Sequence, residues 1–362
     1  MNEKIRTILQ AGILAPSGDN TQPWLLRYKE DKNELEMFID PKADQSFFNV
    51  GQRATYLSLG AVFENILIAS RALEIEPEFE IYPHKEVDSQ NPVAKIRFKD
   101  KTSVSKKGIN LYPAIGTRCT NRKPYKKTPL ESQEIKALIR EAEGIEGAKL
   151  SLIVDKALKK KVASLVFKAD IIRVERRDLH EFLYSTIRWN QEEINRKRDG
   201  MPIRSLEAGF GGDLFLRFCE PWPVMNFFNK IGVGRAVAMH AKKSIMDCGA
   251  VGLLTVKGNS PYDFFNAGRA LERIWLCATS LGLSIQPVTA ITLFFLRVDL
   301  EGDRAFSIKH RDILSDIRPK WQSIWADVLK DSRSEALLFR IGKSSSPPTS
   351  RAIRKELEAF LI

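Results

Sequence analysis

The chain has 362 residues, 43% hydrophobic and 28% charged, with a formal net charge of +12. That balance suits a globular protein with a sizeable core and excludes a fibrous or compositionally disordered one. The longest apolar runs, such as AITLFFL, are too short to span a bilayer, and the amino end MNEKIRTILQ lacks a secretion signal's apolar stretch, so a cytoplasmic protein with no membrane partner is expected.

Ile5, Ile8, Leu9, Ile13 and Leu14 fall at helical spacing, which predicts a helix over 3–14 stopped by Pro16 and Gly18. WLLRY and ELEMFID read as two strands of a hairpin about the polar EDKN. A long apolar helix over 52–73 and two strands, FEIYP and AKIRF, complete a first round of elements. A second round begins near Leu111, with a helix over 130–143, the strand KLSLIV, and helices over 155–176 and 179–194. The glycine-rich stretch from Gly200 to Phe218 has no clear period and reads as a loop or lid. Helices over 234–248 and 267–281 follow, then AITLFFLRV as the most hydrophobic strand candidate and WQSIWADVLK as a surface helix. The tail from Ala336 reads as strand, loop and helix in that order.

The two rounds share a feature. Gly60–Glu64 (GAVFE) matches Gly268–Glu272 (GRALE), and the same shift of 208 residues pairs Ile66 with Ile274, Leu73 with Leu281 and Ile75 with Leu283. Helices this apolar belong in a core. The repeat predicts one compact α+β domain made of two related halves, 1–110 and 111–362, with 200–218 as a lid on the second.

Several function classes find no support. Cys119, Cys219, Cys248 and Cys277 form no close metal-ligand pair, and His84, His180, His240 and His310 are scattered, so neither a metal centre nor a hydrolytic triad is expected. There is no GxGxxG after a strand and no phosphate-binding GKS or GKT loop. The basic runs KDKTSVSKK, ALKKKVA and IIRVERRDLH sit in no nucleic-acid-binding motif, so their charge points to anionic small molecules, with nucleic acid not expected as a partner.

Polar chemistry gathers in four places. APSGDNTQPW (15–24) sets Ser17, Asn20 and Gln22 between two prolines, where the amides can read a polar ligand edge or serve a plain turn. TRCTNR (117–122) carries Arg118, Thr120 and Arg122, and arginine forks bind phosphate in paired hydrogen bonds. GLSIQP (282–287) places Gly282 and Leu283 after the second core helix, and SSSPPTSR (344–351) ends in Arg351.

Taken together these segments resemble the nitroreductase family of flavin proteins. APSGDNTQPW is similar to the family's APSxxNxQPW segment, ALERIWLCATSLGLSIQP to its later helix and turn near the flavin, RCTNR to its RRSxR phosphate motif, and PPTSR to its carboxyl-terminal arginine region. In the ordinary family the arginine motif precedes APSxxNxQPW; here it follows, an order that resembles the long, internally duplicated Acg-like subgroup, in which one chain mimics the usual dimer. The resemblance implies one FMN per chain, its phosphate at Arg118, Thr120, Arg122 and Arg351, with Ser17, Asn20, Gln22, Gly282 and Leu283 nearer the ribityl chain and ring. It further implies an NAD(P)H-dependent reductase of nitroaromatic, quinone or similar electron-poor small molecules, with a homodimer as a further assembly. The alternative is a flavin-binding or flavin-free relative with a sequestering or stress-related role, its pocket covered by its own chain.

Overall fold

Asn2 opens the fold by accepting a hydrogen bond from the Ile5 amide at 2.9 Å and capping helix α1 (Glu3–Ile13). The computed structural model describes residues 1–82, 91–99, 104–331 and 333–362; His84 and part of the basic run 99–107 fall outside them. Strands β1 (Trp24–Lys29) and β2 (Glu34–Ile39) form the expected antiparallel hairpin, turned at Asn33 with φ 47°. Helix α2 (Arg53–Ala72) follows, then β3 (Glu76–Ile81) and β4 (Ala94–Lys99).

The second round opens with the single turn α3 (Tyr112–Ile115), α4 (Ser132–Glu143) and β5 (Lys149–Ile153). A helical insertion comes next: α5 (Lys156–Glu175), α6 (Arg177–Thr186), α7 (Gln191–Lys197), α8 (Gly212–Phe218), α9 (Trp222–Lys230) and α10 (Val233–Met246), with two-residue strands β6 (Ile187–Arg188) and β7 (Met201–Pro202) paired in parallel. Then come β8 (Ala250–Val256), α11 (Pro261–Ser280), β9 (Ser284–Pro287), α12 (Ala290–Glu301), α13 (Ile308–Ile324), α14 (Ala326–Leu329) and β10 (Ser334–Gly342).

The fold is α+β, with two four-stranded antiparallel sheets ordered β1-β2-β4-β3 and β5-β8-β10-β9. With α3, the insertion between β5 and β8, and α12–α14 set aside, the two rounds share one order: a helix, two strands, a buried helix, then two strands of which the second lies inside the sheet. The buried helices, α2 and α11, pack on each other. A Cβ built on Gly60 would lie 1.9 Å from the Phe265 carbonyl oxygen, and one on Gly268 would lie 1.8 Å from that of Leu57. Each glycine meets the carbonyl three residues before its counterpart, so the contact is reciprocal. The helices approach backbone to backbone because neither carries a side chain at the crossing.

Four sequence expectations fail, the first being the surface helix WQSIWADVLK, which spans the end of α13 and α14 and buries Trp321, Trp325 and Val328 in a second core. AITLFFLRV is not a strand but helix α12. Its Leu293 and Leu296 belong to the main core and its Ile291, Phe294 and Phe295 to that second core, under α5 and α13, so burial on both sides erases the helical period. The helix expected over 179–194 is broken at β6 and resumes at α7 under an Asn190 cap. The tail begins with its expected strand, β10, but its expected helix is only a 3-10 turn at Leu357–Phe360, whose Phe360 ring packs on the buried Trp24 at 5.7 Å. No helix among the described residues is long and apolar enough to cross a membrane.

The reciprocal glycine contact sets a testable requirement. Gly60→Ala and Gly268→Ala force a methyl against a carbonyl that cannot rotate away, so each is expected to destabilise the chain by at least about 1–3 kcal/mol in urea unfolding. Unchanged unfolding midpoints for both would contradict this packing.

Candidate ligand site

The close packing of α2 and α11 buries a carboxylate on each helix, and the two are compensated differently. Glu64 pairs with Arg269 at 3.0 Å and Arg273 at 2.9 Å, and Arg273 also reaches Glu141 at 2.6 Å. Burial raises the Glu64 pKa, but the two arginines outweigh it and hold the carboxyl below its ordinary value. Glu272, the matching residue, has Arg118 at 3.3 Å, and neither of its oxygens receives a hydrogen bond of good geometry. Burial pushes its carboxyl up to about 7 despite Arg118 and a loose contact from the Asn65 amide. Arg118 itself donates to the Leu14 carbonyl at 2.7 Å and lies 4.9 Å from the Trp275 ring centroid.

Arg118 stands in the wall of a cavity of about 850 Å3, within the range of roughly 300–1,000 Å3 usual for ligand sites. Ser17, Asn20, Thr120, Arg122 and Arg351 also line it, so segments far apart in the chain meet here. The TRCTNR segment is held in place by Asn121, whose amide nitrogen donates to the Ser344 hydroxyl at 2.9 Å and the Ser346 carbonyl at 3.0 Å. Its Thr120 forms a lone parallel bridge to Ile285 beside β9. Arg122 donates to the Ser205 carbonyl at 3.1 Å, and Arg351 to the Thr117 carbonyl at 2.7 Å.

One arginine that sequence reading passed over belongs with these. Arg354 donates to the Asn20 side-chain oxygen at 2.6 Å and to the Ala15 carbonyl at 2.8 Å. Burial, with Arg118 alongside, pushes its guanidinium down to about 9. Among the described residues no ion pair engages Arg122, Arg351 or Arg354, so the cavity wall carries cationic charge that no carboxylate neutralises at contact distance. The signal in the sequence was RAIR, a second arginine three residues after Arg351.

A second chamber of about 290 Å3 shares Pro16, Ser17, Asp19, Thr120 and Arg122 with the first. Its lining is mainly apolar: Phe48 from the loop before α2, Leu57 from α2, Phe264 and Trp275 from α11, and Phe182 from α6. Its polar lining comprises the shared Ser17, Asp19, Thr120 and Arg122 together with Asp44, Ser46, Ser58, Arg173 and Thr289. The two chambers thus form a cationic room leading to an apolar one, flanked by APSGD from the first round of elements and RCTNR from the second.

Asn20 and Gln22 serve the walls instead of offering free edges. The Asn20 amide nitrogen donates to the Gly200 and Ile353 carbonyls, both at 2.9 Å, while its oxygen accepts from Arg354. Gln22 donates to the Arg198 carbonyl at 2.9 Å and the Asn20 carbonyl at 3.3 Å, and accepts from the Lys355 amide at 2.9 Å. These bonds hold a strained turn: Asp19, Asn20 and Gln22 have φ of 45°, 58° and 57°, a region that costs non-glycine residues on the order of 1–3 kcal/mol each. Gly282 and Leu283 reach neither chamber. Gly282, at φ 70°, and the buried Leu283 close the end of α11 through bonds to the Thr279 and Ala278 carbonyls.

Residues 200–207 lie against the site. Met201 and Ser205 line the larger chamber, and Glu207 pairs with Lys123 at 2.6 Å and accepts from the Thr349 amide at 2.7 Å. Residues 208–218 line neither chamber, and Phe210, Leu214 and Phe218 are exposed. The cover of the apolar chamber is instead α6, through Leu179, Phe182 and Leu183.

No family model matches the chain. An uncharacterized protein of Mycobacterium tuberculosis is 26% identical over 357 residues, 97% of this chain; the chain spans 47% of that relative's length. Among solved structures, the FMN-dependent nitroreductase NfnB of Mycobacterium smegmatis in complex with NADPH aligns at 12% identity over 69% of this chain and 96% of its own, with a TM-score of 0.39. A nitroreductase with bound FMN from Bacteroides fragilis aligns at 9% identity over 67% and 94%, with a TM-score of 0.38. Superpositions this loose assign neither fold nor function.

The Glu272 carboxyl has a consequence for stability. Its value of about 7 stands above its ordinary 4.5, so the folded chain favours the protonated form. Its contribution is intact below pH 4.5 and is lost as pH rises toward 7, by up to about 1.4 kcal/mol per unit. Glu272→Gln is expected to flatten the fall in stability between pH 5 and pH 8 in urea unfolding; an identical fall in the variant would contradict the assignment.

Proposed function

We propose that this chain is an internally duplicated nitroreductase-like protein that binds one FMN and acts as an NAD(P)H-dependent oxidoreductase on nitroaromatic, quinone or similar electron-poor small molecules. The observation that carries the reading is the junction of a cationic chamber with an apolar, aromatic-lined one. A ligand with an anionic end and a flat apolar end satisfies both. Duplication into the halves 1–110 and 111–362 is supported by the shared order of elements and the reciprocal crossing of α2 and α11.

The residues present suit the phosphate end of FMN. Arg122, Arg351 and Arg354 supply cations that lack carboxylate partners, and the Thr120 and Ser17 hydroxyls stand in the same wall. Arg118 is shared with Glu272 and contributes less free charge. Asn20 and Gln22 act one step removed, by fixing Arg354 and the segments 198–200 and 353–355 that bound the room. Bound FMN would supply the chemistry of accepting hydride from NAD(P)H and passing reducing equivalents to the acceptor. The α6 side chains Leu179, Phe182 and Leu183 would shield a ring in the apolar chamber from water. The four cysteines are free thiols, in keeping with a reducing cytoplasm.

A second reading has its own observation. The amides of Asn20 and Gln22 are fully engaged by the chain's own carbonyls and donors, and 200–207 with the tail at 351–356 close over the arginines. A pocket so strapped favours a flavin-free or sequestering protein without reductase activity.

Purified protein distinguishes the two. The first reading expects a visible flavin absorbance band, or its appearance on adding FMN, and NAD(P)H consumption that depends on a nitroaromatic. Arg354→Ala removes one charge-assisted contact and is expected to weaken FMN binding by about 1.5–3 kcal/mol, roughly 10- to 100-fold. Protein that stays colourless with added FMN and leaves NAD(P)H unconsumed supports the second reading.

A further inference from the structure

Asp19 is the one acidic side chain in the wall common to both chambers that forms no hydrogen bond and no ion pair among the described residues. Its neighbours are all committed. Asp44 accepts from the Ser46 amide at 3.0 Å, Asp170 is bound by Arg173, and Glu207 by Lys123 and Thr349. Asp19 is also held at φ 45°, in a turn whose next residues are fastened by Asn20 to the Gly200 carbonyl and by Gln22 to the Arg198 carbonyl. A carboxyl without a partner, lining both chambers from a turn with positive φ, is an arrangement that packing alone does not require.

Three charged groups act on it. Asp44 is a like charge, and Arg122 and Arg173 are opposite ones. Arg173 is occupied by Asp170 through two contacts, at 2.5 and 3.0 Å. Arg122 has no carboxylate in contact; beyond Asp19 it feels Tyr125, Glu207 and Arg340. The Tyr125 hydroxyl donates to the Asn121 carbonyl, and Arg340 donates to the Arg122 and Lys123 carbonyls. Arg122 is therefore the uncommitted cation on which an ionised Asp19 relies. It also lines the chamber where an anion would settle.

We propose that Asp19 is the charge-selecting residue of this site: it competes with an anionic ligand for Arg122, and its carboxyl oxygen takes up a proton when the ligand binds. The inference rests on the reading that the larger chamber accepts a phosphate-bearing ligand, but not on that ligand being FMN. Burial and Asp44 already hold the Asp19 carboxyl up to about 6, against an ordinary 3.8. An anion that draws on Arg122 raises it further. Binding thus strengthens as pH falls and weakens as pH rises through about 6, by at most about tenfold per pH unit for one linked proton. Such a site selects against strongly anionic ligands at high pH and admits them in mildly acidic conditions.

Isothermal titration of the full chain tests this with two probes, FMN and sulfate, the latter chosen because its charge is constant from pH 5.5 to 8. Titrations at pH 6.5 in two buffers of different ionisation enthalpy read the proton count. The wild type is expected to take up a substantial fraction of one proton with sulfate, and to bind sulfate roughly tenfold more weakly at pH 8 than at pH 5.5; FMN, whose own phosphate titrates at about pH 6, reads whether the site takes the flavin. Asp19→Asn keeps the shape and tolerates the left-handed backbone; it is expected to take up no proton with sulfate, to lose the pH dependence, and to bind sulfate severalfold tighter at pH 8. Glu272→Gln is the control, since Glu272 sits against Arg118 and also titrates near neutrality. Proton uptake that persists in Asp19→Asn and disappears in Glu272→Gln overturns the proposal, as does the absence of uptake in the wild type. Sulfate binding with proton uptake but no FMN binding would leave the Asp19 assignment standing and remove only the flavin reading. Binding of neither probe would overturn both.

Discussion

The crossing of α2 and α11 is the constraint on which the rest depends. Two helices that meet carbonyl to glycine bring their backbones closer than side chains normally allow. Residues one turn along each helix then lie deep in the core, and among them are Glu64 and Glu272, both essentially inaccessible. A buried carboxylate needs a cation or a proton. The two ends of the crossing meet that need differently, and the difference generates the site.

On the Glu64 side the cations come from α11 itself, at Arg269 and Arg273, and Glu141 of α4 takes up the second charge of Arg273, so the cluster is neutral without a residue from the cavity wall. The matching positions on α2 are Ala61 and Asn65, which offer no cation to Glu272. Arg118 comes in from outside the helices to take that role, and it carries the TRCTNR segment with it. Thr120 and Arg122 follow into the wall between the chambers, and the carboxyl-terminal Arg351 and Arg354 close the same space from the far end of the chain. An asymmetry in two buried ion pairs thus accounts for a cationic chamber beside one end of the crossing. It also explains why the strained turn at Asp19–Gln22 is retained, since its amides anchor both the tail and the 198–200 segment.

Much of this was legible in the residues. The glycine-to-glutamate repeat marked the two central helices because close packing forbids other residues at Gly60 and Gly268. The apolar runs WLLRY and ELEMFID on either side of the polar EDKN gave the hairpin. The segments carrying Ser17, Asn20, Thr120, Arg118, Arg122 and Arg351 do converge on one cavity. What was not legible follows from burial on more than one side and from contacts remote in sequence. AITLFFLRV lost its helical period by facing two cores. Gly282 and Leu283 looked like a ligand turn but terminate α11, since a glycine after a helix serves that end equally well. Asn20 and Gln22 carry ligand-type chemistry, yet their partners are backbone groups about 180 and 330 residues away, which no local pattern reveals. Arg354 escaped notice because only folding brings it beside Arg118.

The central claim is that the cationic chamber recognises a phosphate while the apolar chamber receives a flat ring. FMN and riboflavin share the ring and the ribityl chain and differ in the phosphate alone, so their relative affinity for the purified chain reads the claim directly. The account predicts that FMN binds at least about 10- to 100-fold more tightly than riboflavin, the equivalent of one or two charge-assisted contacts. Equal affinities, or no binding of either, would contradict it.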